Sequence, residues 1–137
     1  MALPNTGGGF QVTDGNTTEI TIGVQAAPQT ATATATLTAA QITGGLLVGN
    51  PSTSAASYTL PTVALTEAVV VNAKVESTFR LTIINLGTTS GVITIVAGTG
   101  WTLVGKVTVP IVSADGSSAQ FLARKTGATT WTLYRVS

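Results

Sequence analysis

The stretch Thr78-Phe79-Arg80-Leu81-Thr82-Ile83-Ile84-Asn85-Leu86 decides the fold class. Phe79, Leu81 and Ile83 recur at every second position, which is the side-chain period of a β-strand with one buried face. Five further strand-like runs follow, over 91–97, 101–104, 106–111, 119–124 and 130–136. Gly87-Thr88-Thr89-Ser90-Gly91, Gly98-Thr99-Gly100, Asp115-Gly116-Ser117 and Lys125-Thr126-Gly127-Ala128 punctuate them as turns. Short strands at about 8–12-residue spacing, separated by turn residues, predict an all-β sandwich or barrel. The inward-facing set is Phe79, Leu81, Ile83, Ile93, Ile95, Trp101, Leu103, Val107, Val109, Ile111, Phe121, Trp131 and Leu133. Each of these side chains stabilises the fold by roughly 1.5–3 kcal/mol when buried, which is enough for one core.

Working back from residue 78, the pattern weakens but stays readable. Leu46-Leu47-Val48 and Ser57-Tyr58-Thr59-Leu60 are expected as short strands on either side of the Asn50-Pro51 turn. Thr38 is a candidate N-cap for one helical turn ended by Gly44-Gly45, and Thr62 caps a second helix of two turns at most. From residue 30 to 38 threonine occupies every even position, with Ala31, Ala33, Ala35 and Leu37 between. Period two with threonine is strand sequence, and an uncharged strand is an adhesive edge unless something covers it. A low-complexity linker is the alternative reading. Residues 1–30 are expected to form an extended arm. Within it Glu19-Ile20-Thr21-Ile22-Gly23-Val24 places Ile20, Ile22 and Val24 on one face. The domain division expected is therefore 1–36, arm plus Thr/Ala strand, and 37–137, sandwich.

Composition narrows the function. The chain has 137 residues, 44% hydrophobic but only 8% charged, against about 25% charged in an ordinary domain. Thr, Ser, Ala, Gly and Asn must therefore cover the surface that charge usually covers. The apolar runs are far shorter than the roughly 20 residues of a spanning helix, so no membrane role is expected. Net charge is +1, and only Arg124 and Lys125 are adjacent basic residues. A nucleic-acid binder needs a basic stripe to neutralise phosphates, and none is present.

The chemistry-bearing residues are few. The chain contains neither His nor Cys, which removes Ser–His and Cys–His catalysis and thiolate or imidazole zinc sites. Asp14, Glu19, Glu67, Glu76 and Asp115 are dispersed, with no sequence-local pair, and read as solvated turn acids. Trp101, Trp131, Tyr58 and Tyr134 could form a sugar-stacking platform, but the tryptophans are in phase with buried aliphatics and fit the core better. No catalytic, cofactor-binding or metal residue is assigned, no cofactor is expected, and the protein is read as no enzyme. Lys74, Glu76 and Arg80 form a charge cluster whose members share a face if the segment is extended. They are candidates for a register-setting contact with a partner, or else a solvated ion-pair row of little energetic worth. Together with Ile20, Ile22, Val24, Thr30, Thr32, Thr34 and Thr36 they make up the candidate partner-binding set.

Four segments carry a resemblance. They are Leu37-Thr38-Ala39-Ala40-Gln41-Ile42-Thr43-Gly44-Gly45-Leu46-Leu47-Val48-Gly49, Tyr58-Thr59-Leu60-Pro61-Thr62, Phe79-Arg80-Leu81-Thr82-Ile83-Ile84-Asn85-Leu86-Gly87 and Gly98-Thr99-Gly100-Trp101-Thr102-Leu103-Val104-Gly105. Their order resembles the small β-rich head proteins of tailed bacteriophages, the capsid decoration or cement proteins, over about residues 37–136. The resemblance implies a jelly-roll-like β-sandwich, here of about eight strands with one or two helical turns. It further implies a dimer or trimer on the capsid exterior, assembled in the host cytoplasm, that bridges major capsid protein subunits without catalysis. Related modules occur in phage fibres and appendages, so a receptor- or glycan-binding role is the alternative. Residues 1–36 lie outside the resemblance.

Overall fold

The computed structural model describes residues 22–114 and 116–137. In chain order the described elements are β1 (Gln29–Ala31), β2 (Ala35–Thr36), α1 (Ala39–Thr43), β3 (Leu46–Gly49), β4 (Ala56–Thr59) and α2 (Val63–Val69). They continue with β5 (Thr78–Asn85), β6 (Ile93–Val96), β7 (Trp101–Val104), β8 (Thr108–Val109), β9 (Ser118–Gly127) and β10 (Thr130–Arg135). Two sheets result, one of six strands in the order β1-β3-β5-β9-β10-β7 and one of four in the order β2-β4-β6-β8.

The connectivity is that of a stacked coil. β1, β3 and β5 pair in parallel in the larger sheet, and β2, β4 and β6 pair in parallel in the smaller one. Each successive coil therefore gives one strand to each sheet. Hydrogen bonds repeat at equivalent corners: Leu37 N donates to Thr59 O (2.7 Å), and Leu60 N donates to Val96 O (2.9 Å). At the opposite corner Asn50 N donates to Ala31 O (2.9 Å) and Leu86 N to Gly49 O (2.8 Å). Parallel neighbours require a crossover of a dozen or more residues, and the second strand and the helix of each coil supply it. The last coil is then closed by antiparallel pairing: β9 on β5, β10 on β9, and β8 on β6. β7 completes the larger sheet by lying parallel to β10.

The sheets enclose one core. Leu47, Leu81, Ile83, Phe121, Ala123 and Leu133 of the larger sheet belong to the same buried cluster as Tyr58, Ile93, Ile95 and Val109 of the smaller one. The helices cap as their sequences require. Thr38 Oγ1 accepts from Gln41 N while Gln41 Oε1 accepts from Thr38 N, a reciprocal capping box, and Thr62 Oγ1 accepts from Leu65 N. Gly45 follows α1 in the left-handed region, with φ 87°.

Several expectations are altered. Two β-sheets with short helices agree with the β-rich class, but the parallel pairs are not the antiparallel ladders of a jelly roll. Among the described residues ten strands stand where about eight were expected. The threonine repeat is not one strand: it leaves the larger sheet after Ala31, bends at Ala33 and Thr34, and enters the smaller sheet at Ala35. Thr34 Oγ1 accepts from Ser57 N (3.0 Å) at this bend, a side-chain substitute for a ladder bond. The paired body thus begins at Gln29. The run at 106–111 shortens to Thr108–Val109 because Pro110 has no N–H to donate.

Close stacking of coils leaves no room for a side chain at Gly98. A Cβ on Gly98 would lie 2.1 Å from Leu60 O, a backbone atom of the preceding coil. Gly98→Ala is expected to cost about 2–3 kcal/mol through forced backbone displacement. A urea titration checks this: the midpoint should fall at unchanged slope.

Candidate partner-binding surface

The candidate residues begin at the open end of the coil stack. β1 and β2 are the terminal strands of their sheets, at the same end of the stack. Ile20 lies outside the described residues. Ile22 and Val24 are 80% and 101% exposed, with no side-chain burial in the body. The segment is rooted by Gln25, whose Nε2 donates to Gly44 O (2.6 Å). Thr30, Thr32, Thr34 and Thr36 are all exposed. Thr30 O is engaged by Gln41 Nε2 at 2.7 Å, so the α1 capping residue also ties down the edge strand. No Asp, Glu, Lys or Arg occurs between Glu19 and Glu67, so the first coil and its edges carry no charge. Proteins usually guard open edges with charge, and the described residues at this end supply none.

The charge cluster is arranged differently from the expected row. Lys74 and Ser77 close a turn, with Ser77 N donating to Lys74 O (2.8 Å) and Lys74 N donating to Ser77 Oγ (2.9 Å). Glu76 has φ 78°, so the segment is not extended and Glu76 does not align with Arg80. Its carboxylate instead meets Arg124, whose Nε donates to Oε2 at 2.8 Å. That hydrogen bond holds the guanidinium pKa above its ordinary value. The pair is exposed and contributes little to stability. Lys74 and Arg80 are both exposed, one on the turn and one on the outer face of β5.

Beside this turn lies an open depression of about 300 Å³, bounded by Val69, Val71 and Ala73 and floored by Phe79 and Trp131. Val69, Val71 and Val75 are 52%, 74% and 50% exposed, a local concentration of aliphatic surface. The floor is rigid. The Trp131 ring stands 5.4 Å from Phe79 and 5.8 Å from Trp101, centroid to centroid. Trp131 Nε1 donates to Glu67 Oε1 (3.1 Å), and the same oxygen accepts from Lys125 Nζ. The Lys125 hydrogen bond, then that of Trp131, lower the Glu67 carboxyl pKa below its usual value.

One of these features carries no sequence-local signature. Glu67 is not the solvated acid its sequence position suggests: it is paired with Lys125 across 58 positions, on side chains 26% and 10% exposed. The signal was present: Lys125 is in phase with inward Phe121 and Ala123 on β9. Trp101 and Trp131 are 7% and 1% exposed, so neither offers a face for sugar stacking. Tyr58 is buried, which raises its hydroxyl pKa, and its Oη donates to Thr32 O (2.9 Å). Among the described residues no three Asp, Glu, His or Cys side chains cluster as metal ligands, and no helix is long and apolar enough to cross a membrane. What the surface offers is shape, neutral hydrogen-bonding groups and exposed aliphatics, which suit protein contact. No protein-family model, curated protein or solved structure matches the chain.

Proposed function

We propose that the protein is a non-enzymatic capsid decoration protein. It binds the exterior of a phage head, bridges major capsid protein subunits and stabilises the shell as a dimer or trimer. The observation that carries this reading is the uncharged open end of the coil stack, from which the exposed Ile22 and Val24 project. A permanent contact across large areas gains from neutral threonine and alanine surface, because few charges must be desolvated. Open edges at β1 and β2 can also accept an added strand through main-chain hydrogen bonds. The phage head as the site of attachment comes from the sequence resemblance over residues 37–136. The fibre-module alternative is weakened by burial of both tryptophans.

Rebinding to heads stripped of this protein tests the proposal. A variant lacking residues 1–24 keeps Gln25 and every described strand, so it should fold as the full chain does. It should bind heads at least roughly tenfold more weakly, about 1.4 kcal/mol. Equal binding by the shortened chain removes the arm from the contact. Failure of the full-length chain to bind stripped heads removes the decoration role.

A further inference from the structure

We propose that the depression between the Val69–Val71 segment and Phe79 is filled by Ile22 and Val24 from a second copy of this chain. Among the described residues, two complementary features are left without a partner in a single chain. One is an aliphatic pair, Ile22 and Val24, at strand spacing and largely in solvent. The other is the depression of about 300 Å³, whose walls are Val69 and Val71 and whose floor is Phe79 and Trp131. Val69 and Val71 remain half to three-quarters exposed. Joining the features buries aliphatic surface on both sides, at about 25 cal/mol per Å² removed from water.

The occupant belongs to another molecule because of how the segment is rooted. Gln25 is bonded to Gly44 beside the first coil, and from there Ile22 and Val24 face solvent instead of their own depression. Charge favours the same pairing. The only charged side chains before Gln29 are Asp14 and Glu19, giving −2, whereas the rest of the chain has six basic and three acidic residues, giving +3. The two sum to the net +1 of the whole chain. The cationic Lys74 lies on the turn that borders the depression. An acidic segment is therefore drawn to a basic body, at long range and more strongly at low salt.

Each copy gives a segment and receives one. Such contacts close into rings or extend as open chains. This inference deepens the decoration reading by supplying lateral links between copies, but its test contains no heads and is decided independently of them.

The test is sedimentation of the full-length chain and two variants across a concentration series. Wild type should grow in mass with concentration, and more so at low salt. Ile22→Asp with Val24→Asp, and separately Val69→Asp with Val71→Asp, should each stay monomeric. Mixed one to one, the two variants should form dimers and nothing larger, since only one segment and one depression remain intact between them. All four substitutions are at exposed positions. Should the valine pair to aspartate prevent folding, Val69→Thr with Val71→Thr keeps the shape and is expected to weaken association at least tenfold. A wild-type monomer at millimolar concentration overturns the proposal. So does an arm variant that associates like wild type, or a mixture that remains monomeric.

Discussion

Replacing Asn85 by alanine is expected to lower the unfolding free energy by about 4 kcal/mol, out of the 5–15 kcal/mol a domain of this kind possesses. Asn85 is the last residue of β5 and is fully buried. The two Nδ2 hydrogens are shared among Gly91 O (2.9 Å), Val109 O (2.9 Å) and Pro110 O (2.8 Å), while Oδ1 accepts from Gly87 N (2.7 Å). One side chain thus joins the end of β5, the turn into β6 and the exit from β8. Truncation leaves one buried N–H and several carbonyl oxygens without partners, and each such group costs about 1–3 kcal/mol. The chain is packed tightly here: a Cβ on Gly87 would lie 2.3 Å from Gly91 O and 2.9 Å from Asn85 Oδ1. Asn85→Asp separates hydrogen bonding from packing. It keeps the shape but aims an anionic oxygen at carbonyl groups, so its carboxyl must have a raised pKa in the folded state. A raised carboxyl pKa means the variant gains stability as pH falls, opposite to the usual acid sensitivity. Urea unfolding at pH 7 and pH 4 measures both effects. A loss under 1 kcal/mol for Asn85→Ala would show that the network is dispensable.

Asn85 also shows what the sequence carried and what it did not. The alternation Leu81, Ile83, Asn85 puts the amide on the inward face by phase alone, just as Phe121, Ala123, Lys125 does for the lysine. Strand periods, turns and both helix caps are local properties, and they were legible: Thr38 and Thr62 cap where expected. Pairing partners are not local. The crossover from β3 to β5 spans residues 50–77, and nothing within it states that β5 returns parallel to β3. The threonine repeat misled for the same reason. Its period-two pattern runs unbroken through Thr34, while the chain changes sheets there under the pull of Ser57 N on the Thr34 hydroxyl. The Lys74–Arg80 row failed at Glu76, whose positive φ no periodicity announces. The candidate surface was legible in part. Exposure of Ile22 and Val24 followed from aliphatics in a segment with no core to join, whereas the depression is assembled from α2, β5 and β10, which are distant in sequence.

The Glu67–Lys125 pair carries the second large effect. Glu67→Gln should destabilise the protein by about 2–3 kcal/mol at pH 7, because Lys125, 8% exposed, loses its counter-charge. The substituted amide can still accept from Trp131 Nε1, so the loss reports the ion pair more than the indole contact. The folded carboxyl pKa lies below the unfolded one. Stabilisation from the pair is therefore complete above the unfolded carboxyl pKa, about 4.3, and fades as pH falls through the lower folded value. The gap between wild type and Glu67→Gln should accordingly be constant from pH 7 to about pH 5 and narrow below about pH 4. Adding Lys125→Met to Glu67→Gln should recover most of the loss, since a well-packed apolar stem replaces an uncompensated cation. A gap that stays constant down to pH 3, or a double variant no more stable than the single one, would mean that Lys125 is not held by Glu67.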